Sequence, residues 1–196
     1  PPPPHPQVVT LMATVLDEMV GGEIMQATET PKDLLDFEHY LTKTYRKTAA
    51  LICLSCESAA VLGEHPLAIR RALRSYGRHL GLAYQLIDDL LDLTVSADAL
   101  GKPALSDMRQ GLATAPALFA LENFPEMAEL IMRRFGEAGD VSKASELIER
   151  SDGIQRTAAL ATEHAQKAAD ALAPLPPSAA RDGLLRLCSD VLNRKA

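Results

Sequence analysis

The chain has 196 residues, enough for one domain with a substantial core. Apolar residues make up 47% and charged residues 23%, which excludes disorder for most of its length. Twenty Lys and Arg against 26 Asp and Glu leave a net charge of −6, opposite to the basic surface that a nucleic-acid partner requires. A phosphate-bearing ligand would have to be met by a few placed cations or by metal ions.

Ala and Leu occur 30 times each, while Trp is absent and Tyr and Phe number four apiece. Strong helix formers dominate and strand-favouring residues are sparse, so the expected fold is all-α, a helical bundle. Three cysteines cannot pair completely and fit a reducing compartment. No apolar run approaches the ~18 residues of a membrane span.

In chain order, Pro1–Pro6 reads as an extended, disordered, proline-rich start, and residues 7–196 as part of a single helical domain. Pro31, Pro66 and Pro103 then bound two long proline-free stretches. The first predicts one helix from Lys32 to about Gly63; the second predicts a helix with Pro66 at its first position, running past Asp92. Shorter helices are expected over 114–123, 126–135, 141–150, 154–172 and 178–193. Gly136–Asp140, Ser151–Gly153 and Pro174–Pro177 mark the turns between them.

The most informative segment is Gly81-Leu-Ala-Tyr-Gln-Leu-Ile-Asp-Asp-Leu-Leu-Asp92. On a helix, Gln85, Asp92 and Asp89 fall at roughly 60°, 40° and 100° from Asp88, and Leu or Ile fills most of the remaining circumference. Three carboxylates on one stripe of a largely buried helix repel unless cations sit between them. Mg²⁺ suits hard oxygen ligands and commonly bridges carboxylates to phosphates. A solvated acidic face is the competing reading of the same spacing.

This segment resembles the second aspartate-rich motif of the trans-isoprenyl diphosphate synthases. Gly22-Glu23-Ile24-Met25-Gln26 is similar to that family's GExxQ segment, and Tyr45-Arg46-Lys47-Thr48-Ala49 to its KT element. Gly101-Lys102-Pro103, Asp107 and Gly111-Leu-Ala-Thr-Ala-Pro116 resemble the stretch after the aspartates. Asn123–Met127, Met132–Phe135 and Ser151–Gly153 are most like the long-chain enzymes that make quinone side chains. The likeness spans roughly residues 8–194 and rests on four elements in register.

The resemblance implies an isoprenoid-synthase bundle and a Mg²⁺-dependent, head-to-tail condensation of an allylic diphosphate with isopentenyl diphosphate. Carried over by residue, Asp88, Asp89 and Asp92 would serve one side of the metal cluster. Lys47 and Lys102 would contact diphosphate oxygens, and Thr48 and Gln85 would face the diphosphate or the forming cation. Asp88, Asp89 and Lys47 are the expected catalytic residues. Leu112 stands where the family usually has Lys, and Tyr84 where Phe is commoner.

The family's first aspartate-rich motif, DDxxD followed by paired Arg, is absent from these residues, so the sequence reads as the C-terminal portion of such an enzyme. That portion alone is expected to be inactive. A homodimer or a heteromer with a related subunit is implied, as is a mitochondrial location, with plastid or cytoplasm as alternatives. A non-catalytic subunit packing against a complete synthase is the competing function. Cys53 and Cys56 lie in a predicted helix without a second pair and read as core packing. Arg70, Arg74 and Arg78 read as a solvated stripe, Glu23 and Gln26 as polar contacts to a partner helix or substrate-proximal groups. The five His show no ligand spacing.

Overall fold

The computed structural model describes residues 5–94 and 105–194. Among these residues there is no strand. The chain forms α1 (Pro6–Ala27), α2 (Pro31–Leu34), α3 (Phe37–Thr44), a π-helical turn (Tyr45–Ala49), α4 (Ala50–Leu62) and α5 (Leu67–Thr94). After the undescribed residues 95–104 follow α6 (Ser106–Arg109), α7 (Ala115–Asn123), α8 (Met127–Met132), α9 (Asp140–Arg150), α10 (Gly153–Ala171) and α11 (Ala179–Leu192). The all-α expectation holds. No helix among the described residues is long and apolar enough to cross a membrane.

The chain separates into two compact units, the first comprising Pro1–Thr28, Thr42–Gln85 and Thr162–Asn193, the second Glu29–Leu41, Leu86–Ala161 and Arg194–Ala196. In the first unit α1 packs on α4 and on the π-helical turn. α5 meets the π-helical turn and α4 closely through two glycines: a Cβ at Gly81 would stand 2.6 Å from the Ala49 Cα, and one at Gly77 would stand 2.7 Å from the Cys53 Cα. Only glycine permits that approach. Beside it Tyr76, Leu80, Ala168, Leu172 and Cys188 form a buried cluster, and the Tyr76 hydroxyl donates to the Leu184 carbonyl at 3.1 Å.

In the second unit α7, α8 and α9 pack on one another. Ala115–Ala120 are all buried, and Pro116 sits in the first turn of α7, where its missing N–H costs no helical bond. Phe37 stacks on Phe119 at 4.5 Å between ring centroids.

The helix expected over Lys32–Gly63 is broken. Thr30 and Asp33 close a reciprocal capping box around α2, and the Asp36 carboxylate accepts the Glu38 N–H at 2.9 Å, starting α3 anew. Local side-chain acceptors thus override a continuous apolar pattern. The π-helical turn then inserts one wide turn that holds Lys47 and Thr48. α5 begins one residue after Pro66, whose carbonyl accepts from Ile69 and Arg70. α8 stops short of the expected Phe135 because Arg134 and Phe135 take left-handed φ of 54° and 52°. α1 begins at Pro6, inside the segment read from sequence as extended, and its 22 residues carried no helix expectation of their own.

Of the two cysteines read as core packing, Cys53 is buried and Cys56 is partly buried against the Tyr76 cluster; all three cysteines are free. Arg74 pairs with Glu57 at 2.7 Å, and the Arg78 guanidinium lies 4.4 Å above the Tyr45 ring, so the exposed arginine stripe also ties α5 to its neighbours. Separated by 85 positions, His79 and His164 meet with Nδ1 atoms 2.9 Å apart. One ring must donate and the other accept, which excludes two protonated rings. Burial pushes His164 down to about 4, reinforced by His79, Lys167 and Arg78 and opposed by Glu163. Burial likewise holds His79 below its usual range, with Lys167 and Arg78 adding and Glu163 opposing.

Gly81→Ala should destabilise the chain by about 1–3 kcal/mol or more, since a methyl there meets backbone rather than a movable side chain. A denaturant titration with an unchanged midpoint would contradict that close approach. The folded chain favours the neutral histidine pair, so its contribution is intact above pH 6.5 and declines as pH falls toward about 4. The melting temperature should therefore drop between pH 7 and pH 5, and less steeply in His164→Gln.

Candidate active site

Lys47 is held by α1. Gly22 lies under its stem, where a Cβ would come 2.7 Å from the Lys47 Cγ. The Nζ donates to the Gln26 Oε1 at 2.9 Å and pairs with the Glu23 Oε1 at 3.1 Å. The GExxQ and KT elements are therefore two halves of one cluster, with Glu23 and Gln26 orienting a lysine whose side chain stays 27% exposed. Next to it in sequence, the Thr48 hydroxyl donates to the Gln85 Oε1 at 2.9 Å, across the glycine-mediated contact of α5. These five polar groups all belong to the first unit.

The aspartates belong to the second unit, and each has a different partner. Asp89 is 2% exposed and accepts from the Tyr40 hydroxyl, itself buried and packed on Phe37. Asp92, also 2% exposed, accepts the Ser106 N–H at 3.2 Å and the Asp107 N–H at 3.1 Å, one on each carboxylate oxygen. Its backbone carbonyl accepts from Leu105, which takes a left-handed φ of 59° to enter α6. Asp92 is thus the N-terminal acceptor for a helix of four residues. Asp88 is half-buried, and one of its oxygens receives the Arg194 Nη2–H at 2.8 Å.

The three carboxylates of the stripe thus meet a hydroxyl, two backbone amides and a guanidinium respectively. Among the described residues no group of three or more His, Cys, Asp or Glu is arranged to hold a metal ion. Both Asp92 oxygens accept backbone amides. Asp88 does fit a hard divalent cation: its carboxylate reaches solvent and already faces a positive charge. Lys102 lies outside the described residues. Sequence reasoning missed Tyr40 and Arg194, which lie 49 and 106 positions from the aspartates they contact and carry no local motif.

A family model described as polyprenyl synthetase matches residues 3–149. The chain belongs to the polyprenyl synthetase family. Its curated relatives include the probable mitochondrial hexaprenyl pyrophosphate synthase of Neurospora crassa, 45% identical over 197 residues, with 97% of this chain and 44% of that protein covered. The apo form of an Arabidopsis medium/long-chain prenyl pyrophosphate synthase superposes with a TM-score of 0.89 at 41% identity, covering 97% of this chain and 66% of the other. A polyprenyl synthase from Caulobacter crescentus, complexed with calcium and isoprenyl diphosphate, gives 0.88 at 35% identity, covering 98% and 60%. The chain spans about half the length of the curated relatives it matches, 44% of the Neurospora crassa protein.

Replacing Asp92 with Ala should leave the Ser106 and Asp107 amides unpaired and cost about 1–3 kcal/mol. Hydrogen exchange across 106–112 should accelerate in that variant. Unchanged protection would show that α6 does not depend on this carboxylate.

Proposed function

We propose that this chain supplies one side of the active site of a Mg²⁺-dependent trans-polyprenyl diphosphate synthase. The reaction is the head-to-tail condensation of an allylic diphosphate with isopentenyl diphosphate, giving a long-chain all-trans polyprenyl diphosphate for a quinone side chain. The observation that carries the reading is Asp88, a solvent-reaching carboxylate within the aspartate-rich segment of a family member. The calcium and isoprenyl diphosphate bound to the Caulobacter crescentus enzyme support a divalent cation and a diphosphate substrate. The mitochondrial relative supports a mitochondrial site of action.

In this reading Asp88 would hold Mg²⁺, whose charge would offset that of the leaving diphosphate and so assist C–O ionisation. Asp89, steadied by the Tyr40 hydroxyl, and Asp92, which accepts the Ser106 and Asp107 amides, would add their negative charge to the same stretch of α5. Lys47, preset by Glu23 and Gln26, and Lys102 meet diphosphate oxygens as compact point charges. Thr48 and Gln85 lie along the substrate and orient it. The protein works as a homodimer or with a related subunit. The alternative is a non-catalytic subunit that packs against a complete synthase.

A prenyl-transfer assay with labelled isopentenyl diphosphate separates the readings. The purified chain should show no turnover alone and should gain it when the other half of the enzyme is supplied in trans. In that complemented enzyme Asp88→Ala should lower turnover by about 10²-fold or more, because the metal's charge acts mainly in the transition state. Turnover by the lone chain would overturn the half-site reading. Inactivity of folded, associated halves would establish the non-catalytic subunit.

A further inference from the structure

α1 is apolar on two faces. One carries the buried Val15 and Gly22 and packs on α4 and the π-helical turn. On the other, Val9, Ala13, Leu16, Val20, Ile24 and Ala27 are all exposed, Leu16 at 66% and Val20 at 58%. At 3.6 residues per turn they fall within about 80° of arc, and no charged or polar side chain of α1 interrupts that arc. An unbroken stripe along a helix of 22 residues exceeds the scattered apolar side chains normal on a surface.

Two features say what covers it. Val9, Ala13, Leu16 and Val20 follow one another in alternating steps of four and three residues, the spacing of a coiled-coil seam. The arc is also narrower than the roughly 100° or more that a helix turns toward a globular core. Such a seam is self-complementary, because its knobs fit the holes of a like seam. The second feature is charge: α1 holds Asp17, Glu18 and Glu23 and no Lys or Arg. An anionic membrane surface repels that helix, whereas the uncharged seam of another copy does not.

We infer that α1 is a pairing helix, whose seam over residues 9–20 docks on the same seam of a second copy of this chain. The inference rests on the homodimer proposed above and gives it a surface. Gly22, Glu23 and Gln26, which order Lys47, belong to the same helix, so pairing also steadies the support of that lysine. Four knobs bury less than the ~800 Å² per partner of a standard interface, which makes the dimer reversible, with a Kd of about 10–100 µM.

Sedimentation velocity of the full chain over about 1–200 µM tests the pairing and should show a monomer passing to a dimer. Leu16→Asp should stay monomeric throughout, with an unchanged melting temperature because position 16 is exposed. Leu16→Cys tests the seam without adding charge: oxidation with copper phenanthroline should give a disulfide-linked dimer, while Leu187→Cys, also exposed but on α11, should give none. A chain monomeric at every concentration, a dimer that survives Leu16→Asp, or cross-linking no faster at position 16 than at 187 would overturn the seam. Binding to phosphatidylcholine–phosphatidylserine vesicles that is lost in Leu16→Asp would also overturn it and give the face to a membrane. No substrate enters these measurements, so their failure leaves the prenyl-transfer reading standing. A dimer that gains no turnover on complementation would sink that reading and keep the seam.

Discussion

The contact of α5 with Ala49 and Cys53 through Gly77 and Gly81 is the constraint on which the rest of the first unit depends. Two glycines four residues apart give one helix face with no side chains, and Ala49 and Cys53, also four apart, present the matching face. Backbones meet there at distances that any Cβ would forbid. Gln85, one turn beyond Gly81, is then close enough for the Thr48 hydroxyl to reach it. A methyl at either glycine would separate the helices and disturb the polar pair as well as the packing.

The same economy of space governs the polar residues. Lys47 is a long, flexible cation that would lose rotamer freedom on binding a ligand; Gly22, Glu23 and Gln26 order its stem and head in advance. In the second unit, Asp89 and Asp92 are buried carboxylates, which low dielectric makes costly unless donors meet them. Tyr40 and the Ser106 and Asp107 amides are those donors. Asp88 differs because it reaches solvent and pairs with the Arg194 guanidinium.

Much of this was legible before folding. The Ala and Leu excess foretold an all-helical chain, the later turns fell where Gly, Pro and Ser cluster, and the motif order pointed to the family. The break at Asp36 was not foreseen, because an apolar period does not register a side chain that accepts its own backbone's N–H two residues on. The π-helical turn at Tyr45–Ala49 was also missed, since no residue preference marks a single wide turn.

Helical spacing determined by itself that Asp88, Asp89 and Asp92 lie on adjacent parts of one helix surface, because 3.6 residues per turn is a local property. It could not determine what each carboxylate meets. Tyr40 comes from 49 positions upstream and Arg194 from 106 downstream, and only the packed chain brings them within hydrogen-bond reach. Sequence therefore placed three carboxylates on the segment, while tertiary structure gave one a buried hydroxyl, one two backbone amides and one an exposed guanidinium. Burial and partner charge act over distance in space, and distance along the chain carries no record of them.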